Sequence, residues 1–315
     1  MEKIVNNKVK LLVSFISTIV ILFFLFKILG GFNVERIQSY FTIPVIFISL
    51  IIYLLIKITN TYRYNLLFNQ KEFFKSINIL FFSNFMLTVI PFRLGEISYI
   101  RLFKKHYNIN YSKGIQNLIF LRICDYITIC TLMLISFVFM IYLENFEILK
   151  NDYILPILGV FVLGCSILIV LFVIEIKIGL NSKFINRILS YISNIKKTPN
   201  KFHLVILSFI YWFLRFFLGI YLFWAVGINL SFFSLFFIST LMILISLIPI
   251  QTIAGFGIFE GTWTTAFLIF GVNSNNILDI VLAVHLLGLI NIILFGIISY
   301  VILHTLIQNK SDRTY

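Results

Sequence analysis

The residues that could do chemistry in this chain are charged side chains set in strongly apolar sequence. They are Arg93, Glu96, Arg101, Arg122, Asp125, Arg215 and Glu260. On insertion scales, one charged side chain at the centre of a membrane helix costs about 2.5–3.5 kcal/mol. Several such residues, unpaired at mid-depth, would cost more than the net stability of a typical protein. We therefore expect them to pair with one another or to face water.

Cations and anions that alternate in one cavity suit the headgroup of a lipid. A guanidinium binds phosphate through two parallel hydrogen bonds, and a carboxylate binds an amine. We predict that the seven residues line a cavity for an anionic or zwitterionic headgroup. Two alternatives are structural: Arg93 could extend to the interface, and Arg122 could pair with Asp125, three positions away on the same helix face.

The other polar positions in apolar sequence call for less explanation. Glu260 has no basic neighbour in its segment, so it either pairs with a distant arginine or is protonated. His285 is expected to be a buried, hydrogen-bonded histidine. Cys124, Cys130 and Cys165 lack C-x-x-C spacing, which indicates neither a disulfide framework nor a metal site. We expect no cofactor and no bound metal.

Composition identifies the elements that must position these residues as membrane helices. Of 315 residues, 60% are hydrophobic and 12% charged, and the mean hydropathy is +1.03; soluble domains are about 25% charged. Apolar runs long enough to cross a bilayer predict six spans, at 11–29, 41–58, 118–143, 153–175, 203–227 and 276–306. The sequence therefore predicts an all-α, polytopic integral membrane protein, folded as a single domain over 1–315.

The distribution of basic residues orients the predicted spans. Most of the 25 Lys and Arg residues fall in segments on one side, including those around 57–75, 93–113 and 175–201. By the positive-inside rule, we predict a cell-membrane protein with both termini in the cytoplasm. The net charge of +13 is accounted for in this way without a nucleic-acid partner.

Residues 180–197 have the pattern of an amphipathic helix in the headgroup layer.

Two further apolar segments, 77–106 and 232–271, are interrupted by proline and glycine. The breaks are at Pro91 and Gly95 in the first, and at Pro249, Gly255 and Gly257 in the second. Both segments read apolar arm, proline, glycine, glutamate, an order that suggests an inverted repeat. We predict two re-entrant hairpins that enter from opposite faces, an arrangement typical of a midplane transport site. Two ordinary crossings are the alternative for 232–271.

Three motifs resemble a known family. They are P-F-R-L-G-E at 91–96 with Arg101, L-R-I-C-D at 121–125 and G-F-G-I-F-E at 255–260. Together they are similar to the transmembrane region of lysylphosphatidylglycerol synthases, also called flippase-like, known from the membrane halves of multiple peptide resistance factors. Two departures are Leu121 before Arg122, where the family has Glu-Arg, and 252–255, which reads T-I-A-G in place of a Pro-Gly-Gly loop.

The resemblance implies lipid translocation rather than lysyl transfer, because the chain ends at Tyr315, before any counterpart of the soluble synthase domain. Membrane lipids are the expected partners, with a phospholipid or polyprenyl-linked lipid as substrate. A separate synthase or a second copy of the chain is a further candidate partner. Two alternatives stay open: an integral-membrane headgroup or glycosyl transferase, and a partner subunit for a synthase. No Walker or catalytic motif is evident, so the sequence favours a protein without enzymatic activity.

Overall fold

The computed structural model describes residues 33–89, 96–144, 201–245, 252–272 and 276–311. All regular elements in these ranges are helical. They are α1 (Val34–Ser39), α2 (Ile43–Phe68), α3 (Phe73–Val89), α4 (Glu96–Tyr107), α5 (Tyr111–Glu144), α6 (Lys201–Ala225), α7 (Phe232–Ile245), a 3-10 turn (Ile253–Gly255), α8 (Ile258–Ile269) and α9 (Ile277–Ser311).

Four of these helices, α2, α5, α6 and α9, are long and apolar enough to cross a membrane. They correspond to the spans predicted at 41–58, 118–143, 203–227 and 276–306. The spans predicted at 11–29 and 153–175, and the amphipathic helix at 180–197, lie outside the described residues. The all-helical, polytopic character of the chain is confirmed, whereas the number of crossings stays a prediction.

Helix α2 extends ten residues beyond the predicted end of its span, to Phe68. We predicted Lys57 and Arg63 in the basic segment that follows this span. Both lie within the helix instead, and they are buried, with exposed fractions of 4% and 1%. Apolar residues follow Arg63 and bury the last turns of the helix, so the backbone continues through the basic positions.

The two interrupted segments each fold into a pair of short helices. In the first, the start of α3 and the end of α4 lie side by side, because Ser76 Oγ and Tyr107 OH are 2.7 Å apart. In the second, Phe237 of α7 and Phe270 at the end of α8 have ring centroids 6.3 Å apart. Residues 90–95, between α3 and α4, and residues 246–251, after α7, lie outside the described ranges.

The bundle has two apolar clusters at opposite ends. The first contains residues from α2, α5, α6, α7, α8 and α9, and is centred on aromatic side chains such as Phe216, Phe223 and Phe267. The second lies toward the other end of α2, α5, α6 and α9, and includes Tyr64, Phe103 and contributions from α3 and α4. Buried polar residues of α2 and α5 lie between the two clusters. We call this zone the polar layer.

Candidate functional site

The polar layer is built first from α2, where four residues in successive turns face the interior. Lys57, Asn60, Thr61 and Arg63 are all buried. Thr61 donates a hydrogen bond from Oγ1 to the Lys57 carbonyl, 2.7 Å away, and Arg63 Nη1 donates to Asn60 Oδ1 at 3.2 Å. Because α2 packs along α6, these polar side chains face the aromatic residues of that helix.

Asp125 of α5 supplies the counter-charge of Arg63. Its Oδ1 atom accepts hydrogen bonds from Arg63 Nη2 and from the indole Nε1 of Trp212, 2.8 Å away. The guanidinium of Arg63 also lies over the Tyr211 ring, 4.5 Å from its centroid. Arg63 Nε is buried without a hydrogen-bond partner among the described residues. The sequence offered Arg122 as the partner of Asp125, but the structure gives that place to Arg63, 62 positions away.

Arg215, on α6, borders the same layer but differs in its exposure. It donates from Nη1 to the hydroxyl of Tyr211 at 3.1 Å, and its guanidinium carbon lies 5.2 Å from the Trp212 ring centroid. The side chain is exposed. A guanidinium in contact with lipid chains would be very costly, so we expect a water-filled cleft on the exposed side of Arg215.

The remaining predicted cavity residues are distributed as follows. Arg122 is half-buried on α5 and interacts electrostatically with Arg215. Arg101 is exposed on α4. Arg93, Pro91, Gly95 and Pro249 lie outside the described residues, and so does the side chain of Glu96, although Glu96 begins α4. The structure therefore brings Arg122, Asp125 and Arg215 to the polar layer or its border, whereas Arg101 lies on the exposed surface of α4.

Glu260 forms a second buried site, at the start of α8. One carboxylate oxygen, Oε1, is 2.6 Å from His285 Nδ1, and the other accepts a hydrogen bond of 2.6 Å from the backbone N–H of Gly257. The opposite ring nitrogen, His285 Nε2, is 3.0 Å from the Ala254 carbonyl oxygen. The partner of Glu260 is therefore His285 of α9 and not a distant arginine.

The geometry of this pair fixes how many protons it holds. A carbonyl oxygen only accepts, so His285 Nε2 must carry a proton and donate it to Ala254. A single proton then lies between Nδ1 and Oε1, giving either a neutral acid and imidazole or a carboxylate and imidazolium. Both arrangements have zero net charge. The Glu260–His285 pair is therefore a neutral unit in which one proton can move between two atoms.

The turn held by this pair has an unusual backbone. Gly255 and Gly257, predicted as backbone breaks, have φ of +81° and +86°, and Ala254 has φ of +52°. Glycine adopts this region freely, but an alanine side chain is strained there. The turn forms with an alanine, Ala254, in this conformation. It is held by Thr252 Oγ1, which donates to the Phe256 carbonyl at 2.7 Å, and by His285.

The two interrupted segments meet inside the bundle. The turn Ile253–Gly255 contacts α3, which belongs to the first interrupted segment. Helix α3 in turn packs tightly on α9, where a Cβ at Gly296 would lie 2.4 Å from Phe85 Cβ. Asn84 of α3 also reaches α2, donating from Nδ2 to the Tyr53 hydroxyl at 3.3 Å.

Comparison with known families agrees with this architecture. The family described as "Lysylphosphatidylglycerol synthase TM region" matches residues 9–296. The chain belongs to this family. Neither the curated proteins nor the solved structures include a significant match. Membership makes the chain a multi-pass membrane protein and implies a function related to membrane lipids.

Several residues of the polar layer were not predicted from the sequence, and the partner of His285 in the second site was not predicted either. Lys57 and Arg63 were treated as loop residues, and Tyr211 was not considered. His285 was expected to be buried and hydrogen-bonded, which the structure confirms, but its partner was not predicted. The spacing of Lys57, Asn60, Thr61 and Tyr64 follows one helix face, which was the available signal that α2 continues.

Proposed function

We propose that this protein translocates a membrane lipid, with the headgroup passing through the polar layer while the acyl or prenyl chains stay in the bilayer. The observation that carries the proposal is the concentration of cationic side chains between two apolar clusters. Lys57 and Arg63 are buried there with Asp125, and Arg122 and Arg215 border the same layer. A purely structural bundle has little reason to bury Lys57, which has no carboxylate partner among the described residues, in its interior.

The lengths of the short helices indicate that the two interrupted segments do not cross the membrane completely. Helices α3 and α4 have 17 and 12 residues, which is roughly 25 Å and 18 Å at 1.5 Å per residue. The hydrocarbon core is about 30 Å thick. We therefore propose that both 77–106 and 232–271 are re-entrant, that the first enters from the cytoplasmic side and that the second enters from the opposite side.

We propose that the headgroup passes the point where the two interrupted segments contact each other. Irregular backbone at membrane depth is stable only where it is buried in protein or lines a wet cavity. The turn at 253–255 satisfies part of this requirement through Thr252 and His285. We infer that the cleft beside Arg215 provides the water, and that both chain termini lie on the cytoplasmic side, as the basic segments indicate.

The proposal is tested with purified protein in liposomes. A headgroup-labelled phosphatidylglycerol is placed in both leaflets, and a membrane-impermeant quencher is added outside. An active protein lets quenching proceed beyond the outer leaflet. We expect Arg93→Ala, Glu96→Ala, Arg215→Ala and Glu260→Ala to abolish this second phase without preventing membrane insertion. Lys104→Ala, an exposed change on α4, serves as the matched control.

Two outcomes would count against translocation. If all four variants quench as the wild type does, the headgroup does not pass through the polar layer. If chromatography of the recovered lipid shows a new headgroup product, the protein is a transferase instead.

A further inference from the structure

Two cations of the polar layer have aromatic partners but no carboxylate. The ammonium of Lys57 lies 5.1 Å from the centroid of the Tyr53 ring, and only 4% of the residue is exposed. Arg215 contacts Tyr211 and Trp212. In the part of the chain that the structure describes, neither residue forms an ion pair with Asp or Glu. Arg63 differs, because it is paired with Asp125.

Lys57 and Arg215 lie on α2 and α6, two helices that pack along each other. Their charges are close enough to interact, and so are those of Tyr53 and Arg215. Lys57 is buried, and a buried charge without a counter-ion is strongly destabilising. An anion bound beside Lys57 and Arg215 would therefore stabilise the protein.

The two phenols are arranged to donate hydrogen bonds to such an anion. Tyr53 OH accepts from Asn84 Nδ2 at 3.3 Å, and Tyr211 OH accepts from Arg215 Nη1 at 3.1 Å. Each hydroxyl has one proton, and no acceptor for either proton is present among the described residues. Two cations and two phenols with an unused O–H proton therefore lie on the packed helices α2 and α6.

We propose that Lys57, Arg215, Tyr53 and Tyr211 bind the phosphate of a lipid whose headgroup is a phosphomonoester. This inference rests on the proposed translocation and specifies its substrate class. A phosphomonoester carries about −1.5 to −2 charges at pH 7, which matches the two uncompensated cations. A phosphodiester leaves one cation unbalanced, and a zwitterionic headgroup adds a further positive charge. Free phosphate shares the same chemistry, so the experiment separates the ion from the lipid.

The test measures binding to the full-length protein in detergent, independently of transport. Short-chain phosphatidic acid, phosphatidylglycerol, phosphatidylcholine and inorganic phosphate are titrated by calorimetry. We expect phosphatidic acid to bind at least about tenfold more tightly than the other lipids. Lys57→Met and Arg215→Met should each weaken it by about 10- to 100-fold, the loss of one hydrogen bond to a charged group.

Lys104→Met is the matched control, because its ammonium also lies over a tyrosine ring, 4.0 Å from the centroid of Tyr111, but on an exposed residue. It should bind phosphatidic acid as the wild type does. Equal affinity for phosphatidic acid and phosphatidylglycerol would overturn the proposal. Inorganic phosphate binding as tightly as phosphatidic acid would overturn the assignment to a lipid.

Thermal stability distinguishes a ligand-binding role for Lys57 from a structural one. If Lys57 serves to bind a ligand, its replacement by methionine should make the lipid-free protein more stable. A lower melting temperature for Lys57→Met than for Lys104→Met would contradict the proposal. If the protein binds phosphatidic acid but transports no lipid in liposomes, the proposed translocation is wrong and the binding site is still established.

Discussion

Asp125 and Glu260 are both carboxylates buried among apolar helices, but their partners differ. Asp125 accepts from Arg63 and from Trp212 Nε1, whereas Glu260 faces His285 Nδ1 and the Gly257 N–H. An arginine stays protonated in proteins, so the first pair has fixed charges. An imidazole and a carboxyl group can share one proton between Nδ1 and Oε1, so the second pair has zero net charge wherever that proton lies.

This difference separates two roles within the membrane interior. The Arg63–Asp125 pair joins α2 to α5 with charges that do not change, as a structural connection requires. The Glu260–His285 pair joins the turn before α8 to α9 through a contact that tolerates two proton positions. Substitutions at each acid, and at the strained Ala254 in the turn beside Glu260, test this difference.

The largest effect is expected for Asp125→Asn, because it leaves the Arg63 charge buried without a counter-ion. We expect the free energy of unfolding to fall by about 3–5 kcal/mol, the usual consequence of removing one partner of a buried ion pair. Thermal unfolding in detergent measures this loss. Glu72→Gln, whose side chain is 62% exposed in its ion pair with Lys75, is the control. A melting temperature equal to that of the control would show that Arg63 is solvated.

A smaller effect is expected at Glu260, where the identity of the replacement decides the result. Glu260→Gln can donate an N–H to His285 Nδ1 and accept from the Gly257 N–H, so the neutral arrangement is preserved. We expect a loss below about 1 kcal/mol for Gln, against about 1–3 kcal/mol for Glu260→Ala, which leaves two buried groups without partners. Both variants are compared by thermal unfolding. Equal losses would mean that the native pair is a carboxylate and an imidazolium.

The smallest effect, and the only gain in stability, is expected for Ala254→Gly. Ala254 has φ of +52°, where an L side chain costs about 1–2 kcal/mol. Glycine removes this strain but adds flexibility to the unfolded chain. We expect a net stabilisation of about 0.5–1 kcal/mol, seen as a higher melting temperature. A destabilised variant would show that the Ala254 methyl group has packing contacts worth more than the backbone strain.

Hydropathy predicted the long helices well, because twenty apolar residues in a row have few other stable arrangements. It predicted their ends less well. The predicted span of α2 ended at 58 because the apolar run ends there, before the polar positions that lead to Arg63, although the helix continues to Phe68. The burial of the basic side chains of this helix depends on Asp125, Tyr53 and Tyr211, which are distant in sequence, so only tertiary packing reveals that the charges are tolerated.

Pairing was the part of the site that the sequence could not provide. Arg122 lies three residues from Asp125, which made it the natural local partner, but Arg63 takes that place from another helix. Glu260 and His285 are 25 positions apart, and their contact depends on the path of the turn at 253–257. The glycine positions, by contrast, were readable from the sequence, because positive φ is a local property of the residue type.

Helix α9 touches both interrupted segments, at His285 and at Gly296. These positions are eleven residues apart, which is roughly 16 Å along the helix axis. The same helix therefore contacts the turn of the second interrupted segment and helix α3 of the first. A tilt or slide of α9 would displace both together, so the two segments have a mechanical link through protein.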